Sequence, residues 1–358
     1  MTNHDPRWYD LAGILVDHAT GVRAGDRVLV AMRETETLPL ATAVAEHAVR
    51  RGAYPQAIFT AAAFERALLV HGNDDLAARE PDVEALAFDW ADVAIVLRGA
   101  RNPHELADVP AGRVALHRRA LGAISARRTE STRWTLVRVP TESLAQSAEL
   151  PFSAVMDLFW ASTLRDWVAE GAEWRALAAR LAAGTRVRIT GPGIDLAFST
   201  AGRRWVVGDG RINVPDGEIY TAPVDDSAEG EVAFDWPSAT FGQPIEGIRL
   251  RFRRGEVVEA TAERNEGALR ALLAMDDGTR RIGEVGIGVN RGLTRPLGDV
   301  LFDEKIFGTV HIALGRAYAE CGGTNRSALH WDLVKDLRDG GRIEVDGQAV
   351  FANGAFLP

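Results

Sequence analysis

Apolar and polar positions in the N-terminal part of the chain alternate between two periods. Residues 8–20 space Leu11, Ile14, Leu15 and His18 at helical intervals, and Gly21 punctuates the end. Residues 28–30 follow Gly25-Asp26 and read as a short buried strand. Residues 38–51 form an alanine-rich helical pattern closed by Gly52, and 56–60 read as a second strand. A third strand over 92–97, a helix over 114–127 and a fourth strand over 134–139 continue the alternation. Strand and helix in turn predict a Rossmann-like α/β domain over residues 1–145, a parallel sheet with helices on both faces. Its loops carry no phosphate-binding glycine fingerprint. Arg23-Ala24-Gly25-Asp26 is only a turn before a strand, so no nucleotide site is predicted.

The pattern then changes. Residues 152–182 hold two helical stretches interrupted near Gly171, expected as the hinge between domains. Strand patterns follow over 187–190, 194–199, 204–207, 231–234 and 248–252, with turns such as Gly191-Pro192-Gly193 and Pro215-Asp216-Gly217 between them. Helices are predicted over 265–275 and 309–320. Residues 146–358 are therefore expected to form a mixed α+β domain. A length of 358 residues accommodates this division, and 46% hydrophobic with 25% charged residues excludes wholesale disorder. The net charge of −9 argues against a nucleic-acid partner, which requires basic surface to displace counterions. A single cysteine, Cys321, rules out an internal disulfide framework. No apolar stretch is long enough to span a bilayer, and the first ten residues lack an apolar signal core. A cytoplasmic enzyme with no membrane partner is the expectation.

The chemistry concentrates in the C-terminal half. In His330-Trp331-Asp332, a strand would point the imidazole and the carboxylate to one face, where both could hold one cation. The plainer alternative is a pair on a solvated strand. His311 and Tyr318 stand seven residues apart in the predicted helix, two turns along one face, where the phenol could donate to developing negative charge. The alternative is ordinary packing in a domain core. Glu284 is flanked by small and apolar residues in Ile282-Gly283-Glu284-Val285-Gly286, and a carboxylate there is costly to bury unless paired or metal-bound; the alternative is an exposed glycine-rich turn. Glu218 opens a strand after the Pro215-Asp216-Gly217 turn, a position usually at the surface. Together these are three carboxylates and two imidazoles, a set suited to two adjacent divalent ions sharing a carboxylate. Oxygen and nitrogen donors without cysteine favour zinc, cobalt or manganese. The remaining histidines form no such set, and Cys321 has no base beside it.

Four segments carry a resemblance: Gly283-Glu284-Val285-Gly286-Ile287-Gly288-Val289-Asn290, Leu301-Phe302-Asp303-Glu304-Lys305-Ile306, the stretch 308–318, and Ser327-Ala328-Leu329-His330-Trp331-Asp332-Leu333-Val334. With Pro215-Asp216-Gly217-Glu218 and Thr221-Ala222-Pro223, the chain resembles the aminopeptidase T/aminopeptidase S family of metallopeptidases, densely from about residue 186 onward and more thinly before it. The resemblance implies a two-metal exopeptidase acting on a peptide or small amide substrate. It implies ligands at Glu218, Glu284, His311, His330 and Asp332, a catalytic Tyr318, a C-terminal catalytic domain and a homodimer. The mechanism expected on that basis has Glu284 bridge the two ions and also assist proton transfer. Against the family the chain is short in its N-terminal half and between His311 and His330, regions that would wall a substrate cavity. The superfamily also resembles an iron-dependent ring-cleaving dioxygenase of 2,5-dihydroxypyridine, in which a histidine occupies the position of Glu284. Retention of Glu284 and His311 here argues for the hydrolase.

Overall fold

The computed structural model describes residues 5–238 and 244–358, in two compact units. The first comprises Met1–Leu164 and Gly210–Pro215. Its sheet has the strand order Tyr54–Thr60, Arg27–Arg33, Val93–Arg98, Arg133–Arg138, Asn213–Val214, every pair parallel. All but the last residue of the central Val93–Arg98 strand are buried, as a strand covered on both faces requires. The edge strand Tyr54–Thr60 leaves Tyr54 and Phe59 exposed. The first predicted helix is Arg7–Gly13 running into a π-helical turn, Ile14–Ala19. The second is Leu38–Arg50, which turns Leu40, Ala41, Val44 and Ala48 inward, and the third is Ala111–Ser131. Helices Ala62–His71 and Asp82–Trp90 were not among those expected.

Compared with the division expected at 145/146, the helix Phe152–Thr163 groups with the first unit. So does Gly210–Pro215, whose Asn213–Val214 adds a fifth strand beside Leu136 and Val137. A two-residue strand is too short to show a period in the sequence. The break between the two helices also lies elsewhere than Gly171. The second helix, Trp167–Leu181, starts at Asp166, whose side chain accepts the Ala169 N–H, and it runs through Gly171. Gly171 is there for packing, since a Cβ on it would stand 3.0 Å from that of Asp209.

The second unit comprises Arg165–Asp209 and Asp216–Pro358. One of its sheets is antiparallel and eight-stranded, running from Glu256–Thr261 through Arg249–Arg253, Glu229–Ala233, Ile194–Ser199, Arg186–Gly191, Arg342–Val345 and Gln348–Ala352 to Ala355–Phe356. The other is antiparallel and five-stranded, in the order His330–Asp336, Thr309–Gly315, Ile282–Gly288, Glu218–Thr221, Val206–Gly208. The helix predicted over 265–275 is present as Glu266–Leu273.

The helix predicted over 309–320 is not formed. Thr309–Gly315 is a strand with every residue buried, and only Ala319–Cys321 makes a 3₁₀ turn. A strand buried on both faces reads as an unbroken apolar run, which periodicity cannot tell from a buried helix; the β-branched Thr309, Val310 and Ile312 were the contrary signal. Gly315 then takes φ +96°, where a Cβ would lie 2.2 Å from the Leu329 carbonyl oxygen, so no helix continues through it. Among the described residues no helix is long and apolar enough to cross a membrane.

Candidate metal centre

The five-stranded sheet gathers the five predicted ligands by register alone. Glu218 pairs with Gly288, Gly286 with His311, Glu284 with Ala313, and Ala313 with Asp332. Directly opposed residues and residues two apart share a face, so Glu218, Glu284, His311, His330 and Asp332 all project from the same side. The register runs regularly from Glu284 to Ile287 and is broken only by a bulge between Ile282 and Glu284. Gly286 makes the room: a Cβ there would fall 2.1 Å from His311 Cε1, so the imidazole lies directly over the glycine.

Glu284 is not on an exposed turn. It is 4% exposed within its strand, and Glu218 is 8% exposed, so neither is a surface residue. His311 Nε2 stands 3.1 Å from Glu284 Oε1 and 3.3 Å from Glu218 Oε2. His330 Nε2 stands 3.6 Å from Glu284 Oε2 and 3.4 Å from Asp332 Oδ2. The outer nitrogens are also held, His311 Nδ1 at 3.2 Å from the Glu304 carbonyl and His330 Nδ1 at 2.8 Å from the Arg316 carbonyl. Such carbonyl partners fix ring orientation and leave both Nε2 atoms facing the centre.

Two donor groups result. Glu218, Glu284 and His311 offer atoms within 4.8 Å of one another, and so do Glu284, His330 and Asp332. Glu284 belongs to both. Glu218 Oε2 and Glu284 Oε2 are buried without a hydrogen-bond partner. An orphaned carboxylate oxygen is expensive in a dry site, and a cation between these groups would satisfy both oxygens. The donor set therefore fits divalent ions.

Without an ion the imidazoles supply the positive charge. Burial opposes it, but Glu284 and Glu218 override burial and raise His311 to about 9. Burial likewise opposes charge on His330, which Asp332 raises to about 10. Burial acts against ionised Asp332 too, and His330 brings it down to about 2. Burial raises Glu284 above the usual carboxylate range.

Tyr318 is not on a helix with His311, yet it reaches the centre from the segment after Gly315. Its ring lies 4.9 Å from that of His330, and it remains 39% exposed. Partial burial and then the charges of Glu284 and Asp332 raise its phenol above the ordinary value, so it keeps its proton and can donate. Sequence reasoning gave no role to Lys305, which is fully buried and pairs with Glu218 at 2.6 Å and Glu304 at 2.5 Å. The signal was the charged run Asp303-Glu304-Lys305 set between the apolar Phe302 and Ile306.

A sheet face that assembles acids and imidazoles around buried orphan oxygens defines a metalloenzyme-type centre. The model of the thermophilic metalloprotease (M29) family matches residues 4–356, and the chain belongs to that family. Aminopeptidase T of Thermus aquaticus is 36% identical over 193 residues, 47% of this chain and 46% of that protein, so the match spans about half of that relative. Aminopeptidase PepS of Streptococcus thermophilus is 25% identical over an alignment of 411 positions, covering 97% of this chain and 95% of that protein. The solved structure of wild-type AmpT from Thermus thermophilus superposes with a TM-score of 0.86 at 26% identity, over 98% of this chain and 99% of that one. A 2,5-dihydroxypyridine dioxygenase from Pseudomonas putida KT2440 gives 0.62 at 17% identity, over 100% of this chain and 98% of that one, and shares the fold alone.

Proposed function

We propose that the chain is a metal-dependent aminopeptidase that releases N-terminal residues from peptides, or hydrolyses a related small amide, with two divalent ions of zinc, cobalt or manganese. The observation that carries this reading is Glu284, common to two buried donor groups and left with an unpartnered oxygen. Glu218 and His311 would complete one ion's protein ligands, His330 and Asp332 the other's. When bound, such a pair polarises a carbonyl and lowers the pKa of water. Glu284 is assigned the shared ligand and proton acceptor. The Tyr318 phenol donates a hydrogen bond to the oxyanion that develops on the scissile carbonyl. A free amine at the substrate's end finds acidic groups at the centre, so no extended groove is needed. A homodimer working in the cytoplasm belongs to the same reading.

Metal analysis together with an amino-acyl amide assay tests it. Two zinc, cobalt or manganese ions per chain are expected, with activity lost in Glu284→Ala and His330→Ala proteins that remain folded. Full activity in both variants with metal supplied would refute the mechanism. One iron per chain, with oxygen consumed on a dihydroxylated heterocycle, would replace the hydrolase by an iron(II)-dependent ring-cleaving dioxygenase.

A further inference from the structure

Lys305 has no exposed surface, yet it carries an ammonium into the same layer as the ligands. Its Nζ lies 2.6 Å from Glu218 Oε1, 2.5 Å from Glu304 Oε1 and 4.0 Å from Asp216 Oδ1. The two oxygens of Glu218 are thus in different states. Oε1 accepts from Lys305, while Oε2 is buried without a hydrogen bond and stands 3.3 Å from His311 Nε2.

The approach of Lys305 is built into the backbone. Gly288 is the register partner of Glu218, and a Cβ on it would lie 2.1 Å from the Ile306 carbonyl oxygen. Only a residue without a side chain lets the 305–306 segment lie against the strand there. Asn290 N–H donates to the Lys305 carbonyl at 3.0 Å. The Asp303 carboxylate accepts the Leu297 and Gly298 N–H groups at 2.6 and 2.9 Å, fixing the turn that precedes Lys305. The same segment supplies the Glu304 carbonyl that holds His311 Nδ1. Both residues unique to one donor group, Glu218 and His311, are therefore oriented by the single peptide segment 304–305.

Resting on the two-ion reading, we propose that Lys305 is a positioning residue that restricts Glu218 to one metal-donating oxygen, Oε2, and so sets the affinity of the Glu218–Glu284–His311 ion without touching the other. Orienting partners of this kind change metal affinity by about 10- to 100-fold. An effect confined to one ion of two is separate from any general effect on folding.

The test is a cobalt(II) titration of metal-free full-length protein, followed by calorimetry and by the visible absorption of the ion. In Lys305→Met, one binding step is expected to weaken by about 10- to 100-fold with an altered spectrum, while the second step keeps its wild-type affinity. Two wild-type steps in a folded Lys305→Met protein would overturn the proposal. Should that variant not fold, Glu304→Gln/Lys305→Met removes the buried pair together, and the same two outcomes apply. A crystal structure of the cobalt-loaded wild type gives the direct reading. Glu218 Oε2 on the ion with Oε1 still on Lys305 supports the role; both oxygens on the ion overturn it. A wild type that takes up no second ion sinks the two-ion reading itself, a different result from either.

Discussion

Alanine at position 286 is the smallest change that reaches the metal centre without altering a donor. The added methyl would lie 2.1 Å from His311 Cε1 and 2.2 Å from Nε2. Ordinary contact needs about 3.4 Å, so the ring must move by about 1.3 Å. His311 has nowhere to take up that shift: it is completely buried, its Nε2 lies between Glu284 and Glu218, and its Nδ1 is held by the Glu304 carbonyl. Overpacking of this kind costs about 1–3 kcal/mol of stability. A donor misplaced by about 1 Å costs about 100-fold in rate. Gly286→Ala is therefore expected to lower kcat on an amino-acyl amide by about 100-fold, and to weaken metal binding, in a protein that still melts cooperatively. The control is Gly122→Ala, inside the helix Ala111–Ser131, where an added Cβ meets nothing within 4 Å. That change should leave activity intact and stabilise by about 0.5–1 kcal/mol. Wild-type turnover and metal affinity in Gly286→Ala would refute the reasoning, because the imidazole would then not lie where the register puts it.

Three further outcomes follow from the same geometry. Tyr318→Phe should cut kcat by about 10²–10³-fold while leaving KM and metal content nearly unchanged, since the phenol acts on the oxyanion and ligates nothing; steady-state kinetics with metal analysis checks this. Chelation should abolish activity and lower the melting temperature, and re-addition of an ion at 100 times its Kd should restore about 2.7 kcal/mol per site, read by thermal denaturation across metal concentrations. Burial pushes Asp303 up to about 7 from a usual value near 3.8, against the Leu297 and Gly298 N–H groups it accepts. Between those values the folded protein binds more protons than the unfolded chain. Stability should thus fall by a few kcal/mol as pH rises from about 4 to 7, and Asp303→Asn should flatten that limb of the denaturation profile.

The N-terminal parallel sheet was legible because its signals are local. The 93–98 strand is apolar throughout, and the alanine-rich helix over 38–50 ends at a glycine-punctuated turn. The donors were legible as a set of residue types, and His330-Trp331-Asp332 also as a shape, since residues two apart on a strand share a face. What could not be read was the sheet that unites them. Glu218 meets Gly288 across seventy positions of sequence, and no local pattern encodes that pairing. The strand carrying His311 reads as a helix because its unbroken apolar run hides the period, which puts Tyr318 two helical turns along the same face. The contact between Tyr318 and His330 arises instead from the turn at Gly315. The glycines held the missing information in another form. Gly286 and Gly288 stand where His311 and the 305–306 backbone need space, a requirement visible only once the strands are in register.

The fold does not choose the chemistry, because a dioxygenase shares it at 17% identity. On the two-ion reading proposed above, the choice falls to residue 284. A carboxylate has two oxygens and can serve both donor groups at once, as Oε1 beside His311 and Oε2 beside His330 allow. An imidazole at the same place would present one nitrogen to the centre, because its second nitrogen points away along the ring. Substituting Glu284→His should therefore convert a centre for two ions into a centre for one, with amide hydrolysis lost and the Asp332 and His330 side still occupied. Elemental analysis after equilibration with manganese or iron reads the stoichiometry directly. Two ions retained in Glu284→His would mean that some other group bridges them, and that the shared carboxylate is not what makes this site a hydrolase.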